Sequence, residues 1–269
     1  MSDTEADARG AAAPSDDGPA SNANGQAGGA ARRPSAARTA RERARAEITG
    51  EILDAARGYL ATDGAPALSL RAIARDLGMA SSALYRYFAS RDELLTRLII
   101  DAYDSLGAAA EAREAAVDRH DLAGRFTATC EAVRAWALAH PNEYALIYGS
   151  PVPGYVAPAD TIQPASRVTT LLLRVIVDAA AAGRVPEADI QNAEAQPVAG
   201  VLAPIRSYLP PGVPAPLVQR ALMVWMNLFG VVSFELFGQL HSVVAEEPGD
   251  RAAFFTECIR RWLAFTAVS

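Results

Sequence analysis

Lysine is absent from the sequence, so all 25 basic residues are arginines. Arginine is therefore the side chain available for strong phosphate contacts. The two cysteines, Cys130 and Cys258, are far apart, whereas disulfide-stabilised folds need more cysteines in a shorter chain. We expect two buried thiols in a reducing compartment. The scattered histidines His120, His140 and His241 form no pair at metal-ligand spacing, which predicts no metal site.

Long apolar runs and catalytic motifs are also scarce. The most apolar window, residues 222–238, contains Asn227, Ser233 and Glu235 and is shorter than the about 20 apolar residues of a membrane span. The acidic start has no apolar segment of the kind found in signal peptides. No phosphate-binding loop, dinucleotide fingerprint or nucleophile motif follows a strand pattern. We therefore expect a cytoplasmic protein that has no enzyme activity, no cofactor and no membrane partner.

The net charge of −6 is distributed unevenly along the chain. Residues 1–31 hold one arginine and five acids, and residues 98–269 hold twelve arginines and eighteen acids. Residues 32–97 hold twelve arginines and eight acids, and are the only one of these three segments with a positive net charge. This asymmetry indicates that an anionic partner would bind there.

The first 38 residues are mostly Ala, Gly, Ser, Pro and Asp, with almost no large apolar side chains. Such a segment is predicted to be a disordered tail, because it cannot bury enough apolar surface to offset the entropy of ordering. Its basic end, ARRPSAARTARERARAE, has six arginines and one acid before Glu47. Alone, this run is typical of a solvated segment. Beside a DNA-reading element, it is a candidate arm for phosphates or the minor groove.

Apolar spacing and capping residues predict a series of helices after residue 45. Apolar residues three and four apart indicate a first helix, which ends near Gly64. Ser69 can cap a short second helix, which ends at Gly78. Ser90 and Glu93 have the spacing of a capping box and open a longer helix.

A third short helix is predicted over residues 81–88, between the glycine turn and the capping box. On a helical wheel, Leu84 and Phe88 point inward. The outer face comprises Ser82, Ala83 and Arg86, flanked by Tyr85 and Tyr87. Two short helices about a glycine turn, braced by a longer helix, are typical of a helix-turn-helix, whose outer face approaches base edges and phosphates. Each tyrosine could instead pack against neighbouring helices.

The stretch LSLRAIARDLGMASSALYRYFASRDELL resembles the DNA-binding domain of the TetR family of transcriptional repressors. The resemblance covers about residues 45–100. It implies phosphate contacts from Ser69 and Arg71. It also implies base contacts from Ser81, Ser82, Ala83 and Tyr85, and backbone contacts from Arg86, Tyr87 and Arg91.

The sequence departs from the family pattern at Ala80, where the family usually has a Ser or Thr cap. We expect the cap to shift to Ser81 or to be weaker, at a cost of about 1 kcal/mol. The first turn of the third helix also lacks Arg, Lys, Asn and Gln. We therefore expect few direct bidentate hydrogen bonds to bases.

Residues 101–269 are rich in alanine and leucine and read as five or six helices. Two long apolar helices near the end carry more apolar surface than one bundle can bury, which favours a dimeric four-helix interface. The stretches HPNEYALIYGSPVPGY and WMNLFGVVSFELFG resemble a C-terminal subgroup of TetR regulators described by a Trp-His-Gly signature. Phe229 occupies the position of the histidine in that signature.

The resemblance implies a cavity in the C-terminal bundle for an apolar or aromatic small-molecule effector. The candidate lining residues are Trp136, Tyr144, Tyr148, Tyr155, Met223, Trp225, Met226 and Phe229, although each could be an ordinary core residue.

The predicted fold is all-α. It has a disordered tail (1–38), a three-helix helix-turn-helix domain (39–100) and a helical domain for effector binding and dimerisation (101–269). The predicted function is that of a homodimeric repressor on a palindromic double-stranded DNA operator, with reading heads about 34–36 Å apart. The alternative is a helical protein-interaction module with a vestigial helix-turn-helix.

Overall fold

The computed structural model describes residues 36–191, 200, 202–206, 211–245 and 247–268. Every regular element in this part of the chain is helical, which confirms the predicted all-α class. The predicted tail lies outside the described residues except for its last three, where the first helix begins. The helices are α1 (Ala36–Thr62), α2 (Leu70–Asp76), α3 (Ser81–Leu84), α4 (Arg91–Ala115), α5 (Leu122–Ala139), α6 (Pro141–Tyr148), α7 (Ile162–Ala181), α8 (Glu187–Ile190), α9 (Ala203–Arg206), α10 (Ala215–Leu236) and α11 (Pro248–Thr266), with short 3-10 turns at Ala65–Ala67 and Ala159–Thr161.

A first apolar core joins α1, α2, α3 and the beginning of α4. Leu84 and Phe88 lie at its centre, as the helical wheel predicts. The glycine turn also forms as predicted, because Gly78 adopts a positive φ of 65° that ends α2. The buried members of this core are Ile52, Leu53, Ala56, Leu60, Leu68, Leu70, Ile73, Ala74, Leu84, Phe88, Leu94, Leu95, Leu98 and Ile99.

The third helix is shorter than the predicted range of 81–88, because its α-helical part ends at Leu84. The backbone N–H groups of Arg86 and Tyr87 donate to carbonyls three residues back, at 3.2 and 2.8 Å, whereas that of Phe88 donates four residues back. The segment therefore tightens into 3-10-like turns after one α-turn. Both apolar anchors still reach the core.

The three helix starts around the turn differ in their caps. The Ser90 hydroxyl accepts from the Glu93 backbone N–H at 3.1 Å. The Glu93 carboxylate accepts from the backbone N–H of Ala89 at 2.7 Å, one residue earlier than in the predicted capping box. Ser69 precedes α2 but its side chain makes no capping bond. Ala80 precedes α3, which has no side-chain cap, so the cap has not shifted along the chain.

A second apolar core occupies the C-terminal part of the chain and shares α4 with the first core. Leu94 and Leu98 belong to the first core, whereas Ala102, Leu106 and Ala110 pack with α5, α7, α10 and α11 in the second. One continuous helix therefore carries both cores.

Ion pairs fix the second half of α4 to its neighbours. The almost fully buried Arg125 of α5 bonds Glu114 at 2.5 Å and Asp178 of α7 at 2.8 Å. Arg167 of α7 bonds both carboxylate oxygens of Glu111, at 2.9 and 2.7 Å. Arg167 lies directly over Gly107, where an added Cβ would be 2.6 Å from its Nε. A side chain at position 107 would therefore displace the Arg167 guanidinium from this place.

Helix α10 is long and apolar enough to cross a membrane by length and composition, with a mean hydropathy of 1.4 over its most apolar stretch. Core helices of soluble proteins meet the same criterion, so this is weak support for a membrane span. The helix begins at Ala215, before the apolar window of residues 222–238. Its buried Glu235 makes a bidentate ion pair with Arg134 of α5, at 2.7 and 2.6 Å.

Both cysteines are free thiols. Cys130 is buried as predicted, and burial raises the pKa of its thiol. Cys258 is only partly buried, which differs from the prediction. Across the described ranges, no group of three or more His, Cys, Asp or Glu side chains could hold a metal ion.

The two serines at helix starts give a matched test of capping. We expect Ser90→Ala to lower the free energy of unfolding by about 1 kcal/mol, because the Glu93 amide loses its acceptor. Ser69→Ala removes a hydroxyl that caps nothing and is expected to change it by less than about 0.5 kcal/mol. Urea denaturation at one protein concentration measures both. Equal losses in the two variants would contradict the assignment.

Candidate nucleic-acid interface and effector cavity

The outer face of residues 81–88 is exposed while its inner face is anchored. Ser81, Ser82 and Arg86 are exposed, and Tyr85 is 43% exposed. Leu84 on the opposite side is fully buried. The small side chains come first along the segment, and the Arg86 guanidinium follows. The protein backbone could therefore approach base edges at the first end, and the guanidinium could reach phosphates at the second.

Tyr87 differs from Tyr85 because its ring packs partly against the first core. The guanidinium of Arg45 lies 5.1 Å from the centre of the Tyr87 ring. Arg45 Nη2 also donates to the Arg86 carbonyl at 3.2 Å. Arg45 therefore holds the end of this segment and adds positive charge beside it. In the sequence, Arg45 is one arginine of the basic run, whereas in the structure it lies within α1.

The predicted phosphate contacts at the start of α2 lie at the surface. Ser69 is half-buried, and Arg71 is exposed. Arg91 is more constrained, because its Nε donates to the Leu68 carbonyl at 3.1 Å and its Nη2 to the Ala65 carbonyl at 2.8 Å. Arg91 thus braces the loop before α2, a role that the sequence did not indicate.

A cavity of about 850 Å³ lies among α4, α6, α7, α9, α10 and the segment between α6 and α7. No charged side chain is among its described lining residues. Burial raises the pKa of the lining Tyr103, so its hydroxyl stays neutral. The lining residues are Ile99, Tyr103, Leu146, Ile147, Gly149, Ser150, Pro151, Val152, Tyr155, Ala157, Thr161, Ile162, Ala165, Ser166, Thr169, Ile205, Leu222 and Trp225.

Comparisons with known proteins cover both parts of the chain. Residues 52–98 match the family model described as bacterial regulatory proteins, tetR family. Residues 126–262 match the model described as tetracyclin repressor-like, C-terminal domain. HTH-type transcriptional regulator Rv1816 of Mycobacterium tuberculosis is 39% identical over 214 residues, which cover 78% of this chain and 89% of the relative. The chain belongs to the TetR family of transcriptional regulators.

Solved structures support the same assignment of a TetR-family architecture. The regulatory protein SCO4313 is 36% identical with a TM-score of 0.67, and the match covers 83% of this chain and 98% of that chain. A protein from Rhodococcus sp. RHA1 is 25% identical with a TM-score of 0.61, covering 82% and 95%. The Trp-His-Gly subgroup of TetR regulators stays a prediction.

The cavity of this TetR regulator contains two of the eight residues predicted to line it, Tyr155 and Trp225. Tyr144 and Phe229 lie in the second core, and Tyr148 packs on Phe229 with ring centres 4.2 Å apart. Trp136 also belongs to the second core and donates to the Ser105 hydroxyl, whereas Met223 and Met226 are exposed. These aromatic rings pack on one another, and the two methionines face outward on α10.

Proposed function

We propose that this TetR regulator is a cytoplasmic repressor that binds a pseudo-palindromic operator as a homodimer and is released by a small molecule. The observation that carries the proposal is the exposed face of residues 81–88 above buried Leu84 and Phe88. We assign DNA binding to residues 39–100 and effector binding with dimerisation to residues 101–269. The two separate apolar cores support this division.

We assign contacts with DNA from the position of each side chain in the helix-turn-helix. We assign base contacts to Ser81, Ser82, Ala83 and Tyr85, and phosphate contacts to Ser69, Arg71, Arg86 and Tyr87. Arg45 joins the phosphate-binding group, since its guanidinium lies beside Tyr87 and the Arg86 carbonyl. We assign Arg91 a positioning role, because two of its nitrogens already bond protein carbonyls.

Dimerisation is supported by apolar side chains that one copy leaves exposed. Met223, Met226 and Phe234 are exposed and share one face of α10 with Gly230, and the exposed Phe237 follows the last residue of the helix. A Cβ at Gly230 would meet nothing within 4 Å, so a second helix could approach closely there. Phe254 and Phe265 are also exposed, on α11. A second copy would cover these side chains, as in a four-helix interface.

The effector is expected to be uncharged and largely apolar. A cavity of about 850 Å³ is within the size range that encloses a drug-sized ligand. Burying a charge there would lack an oppositely charged partner, which is costly. Several lining hydroxyls are already bonded within the protein: Tyr103 to the Ile147 carbonyl, Thr161 to the Pro158 carbonyl and Ser166 to the Gln163 carbonyl.

The operator proposal is tested with duplexes that the protein selects from a randomised pool. We expect the logarithm of the binding constant to fall linearly with the logarithm of salt concentration, because bound arginines release counterions. Arg86→Ala with Tyr87→Ala should weaken binding by about tenfold or more and leave the dimer intact in sedimentation.

Arg113→Ala is the matched control for overall charge, since Arg113 is exposed near the far end of α4. It should leave operator binding almost unchanged. Absence of selected duplexes, or wild-type affinity after the Arg86 and Tyr87 changes, would favour a protein-interaction module instead.

The effector proposal is tested with two dyes that differ by one charge. N-phenyl-1-naphthylamine is neutral, and 1-anilinonaphthalene-8-sulfonate is its sulfonated counterpart. We expect the neutral dye to bind about tenfold or more tightly than the sulfonate in fluorescence titrations, because the cavity offers no cation.

Ala165→Trp should abolish binding of the neutral dye, because Ala165 of α7 lines the cavity. Ala181→Trp is the matched control, at an exposed position on the same helix. Preference for the sulfonate, or full binding in the Ala165 variant, would contradict an uncharged ligand in this cavity.

A further inference from the structure

Residues 149–158 connect α6 to the second 3-10 turn. This segment contains three prolines and forms no helix. Gly154 adopts a positive φ of 78°, and a turn bond joins the Tyr155 N–H to the Val152 carbonyl at 3.2 Å. The position of this segment therefore depends on what its side chains contact.

These side chains contact two regions at once. Val152 and Tyr155 line the cavity. The same two side chains pack against the first apolar core, which holds the helix-turn-helix. A ligand in the cavity would therefore touch a segment that already rests on the DNA-binding part of the chain.

One hydrogen bond joins residues 149–158 directly to α4. The Tyr155 hydroxyl and Thr96 Oγ1 are 2.9 Å apart. Thr96 lies on the first half of α4, where Leu94, Leu95 and Leu98 belong to the core that anchors residues 81–88. Tyr155 thus bonds the segment in the cavity wall directly to α4, the helix that supports residues 81–88, which are the DNA-facing segment of the proposed function.

The second half of α4 is held by ion pairs to neighbouring helices. Arg125 of α5 pairs with Glu114 of α4 and with Asp178 of α7. Arg167 of α7 pairs with Glu111 of α4. The first half of α4 is held instead by the first apolar core, by the Arg57–Asp101 ion pair at 3.4 Å and by the Tyr155–Thr96 bond, of which the last involves a residue that lines the cavity.

We propose that residues 149–158 couple the cavity to the DNA-binding domain, with Tyr155 and Thr96 as positioning residues. The inference rests on the proposed function and deepens it by naming the route of regulation. With the cavity empty, the Tyr155–Thr96 bond holds the first half of α4 in the arrangement that binds DNA. A ligand that displaces the Tyr155 ring breaks this bond and shifts the population toward the released state.

The test removes the two hydroxyls singly and together while keeping the shapes of the side chains. We expect Tyr155→Phe and Thr96→Val each to weaken binding to the selected duplex by about threefold to tenfold. The double variant should be no weaker than either single variant, because all three lack the same bond. Fluorescence anisotropy measures the affinity, and sedimentation and thermal unfolding show that each variant is folded and dimeric.

Thr129→Val is the matched control for loss of a threonine hydroxyl, because Thr129 Oγ1 donates to the Arg125 carbonyl within α5 and Thr129 is not among the lining residues of the cavity. It should keep operator affinity within about twofold of the wild type. Wild-type affinity in both Tyr155→Phe and Thr96→Val would overturn the inference, as would additive losses in the double variant. A wild-type protein that selects no duplex would overturn the proposed function itself.

Discussion

The burial of one side of α4 in two successive apolar cores is the interaction on which the rest of the structure depends. Leu94 and Leu98 hold the helix-turn-helix, and Ala102, Leu106 and Ala110 belong to the C-terminal core. Since the helix is continuous between them, a shift of α4 in one core also shifts it in the other. A structural change at the cavity therefore has a direct physical path to the DNA-facing segment.

The same arrangement explains where polar and charged groups lie. Apolar anchors below residues 81–88 leave hydroxyl and guanidinium groups exposed above them, at the positions where we propose contacts with DNA. The ion pairs of α4 are concentrated at its far half, around Gly107 and Glu114. The cavity lies beside the other half of the helix, which the first core and the Arg57–Asp101 ion pair hold. Its wall there is a proline-rich segment.

Features set by neighbouring residues could be predicted from the sequence. Gly78 and the pair Ser90–Glu93 mark helix boundaries through backbone geometry and local hydrogen bonds, and both formed near the predicted positions. Contacts between distant elements could not be predicted in this way. Tyr144 was expected in the cavity, but its hydroxyl bonds the Phe229 carbonyl of α10 inside the core. The brace from Arg45 likewise depends on how the first helix crosses the DNA-facing segment.

Hydroxyl-radical footprinting of the selected duplex tests the central claim most directly, because it locates both DNA-facing segments of an assembled regulator on one DNA molecule. The account predicts two protected patches related by a two-fold axis. Their centres should lie about 10–10.5 base pairs apart, or a whole number of helical turns, so that both occupy one face of the duplex. A single patch, or two patches on opposite faces, would contradict it.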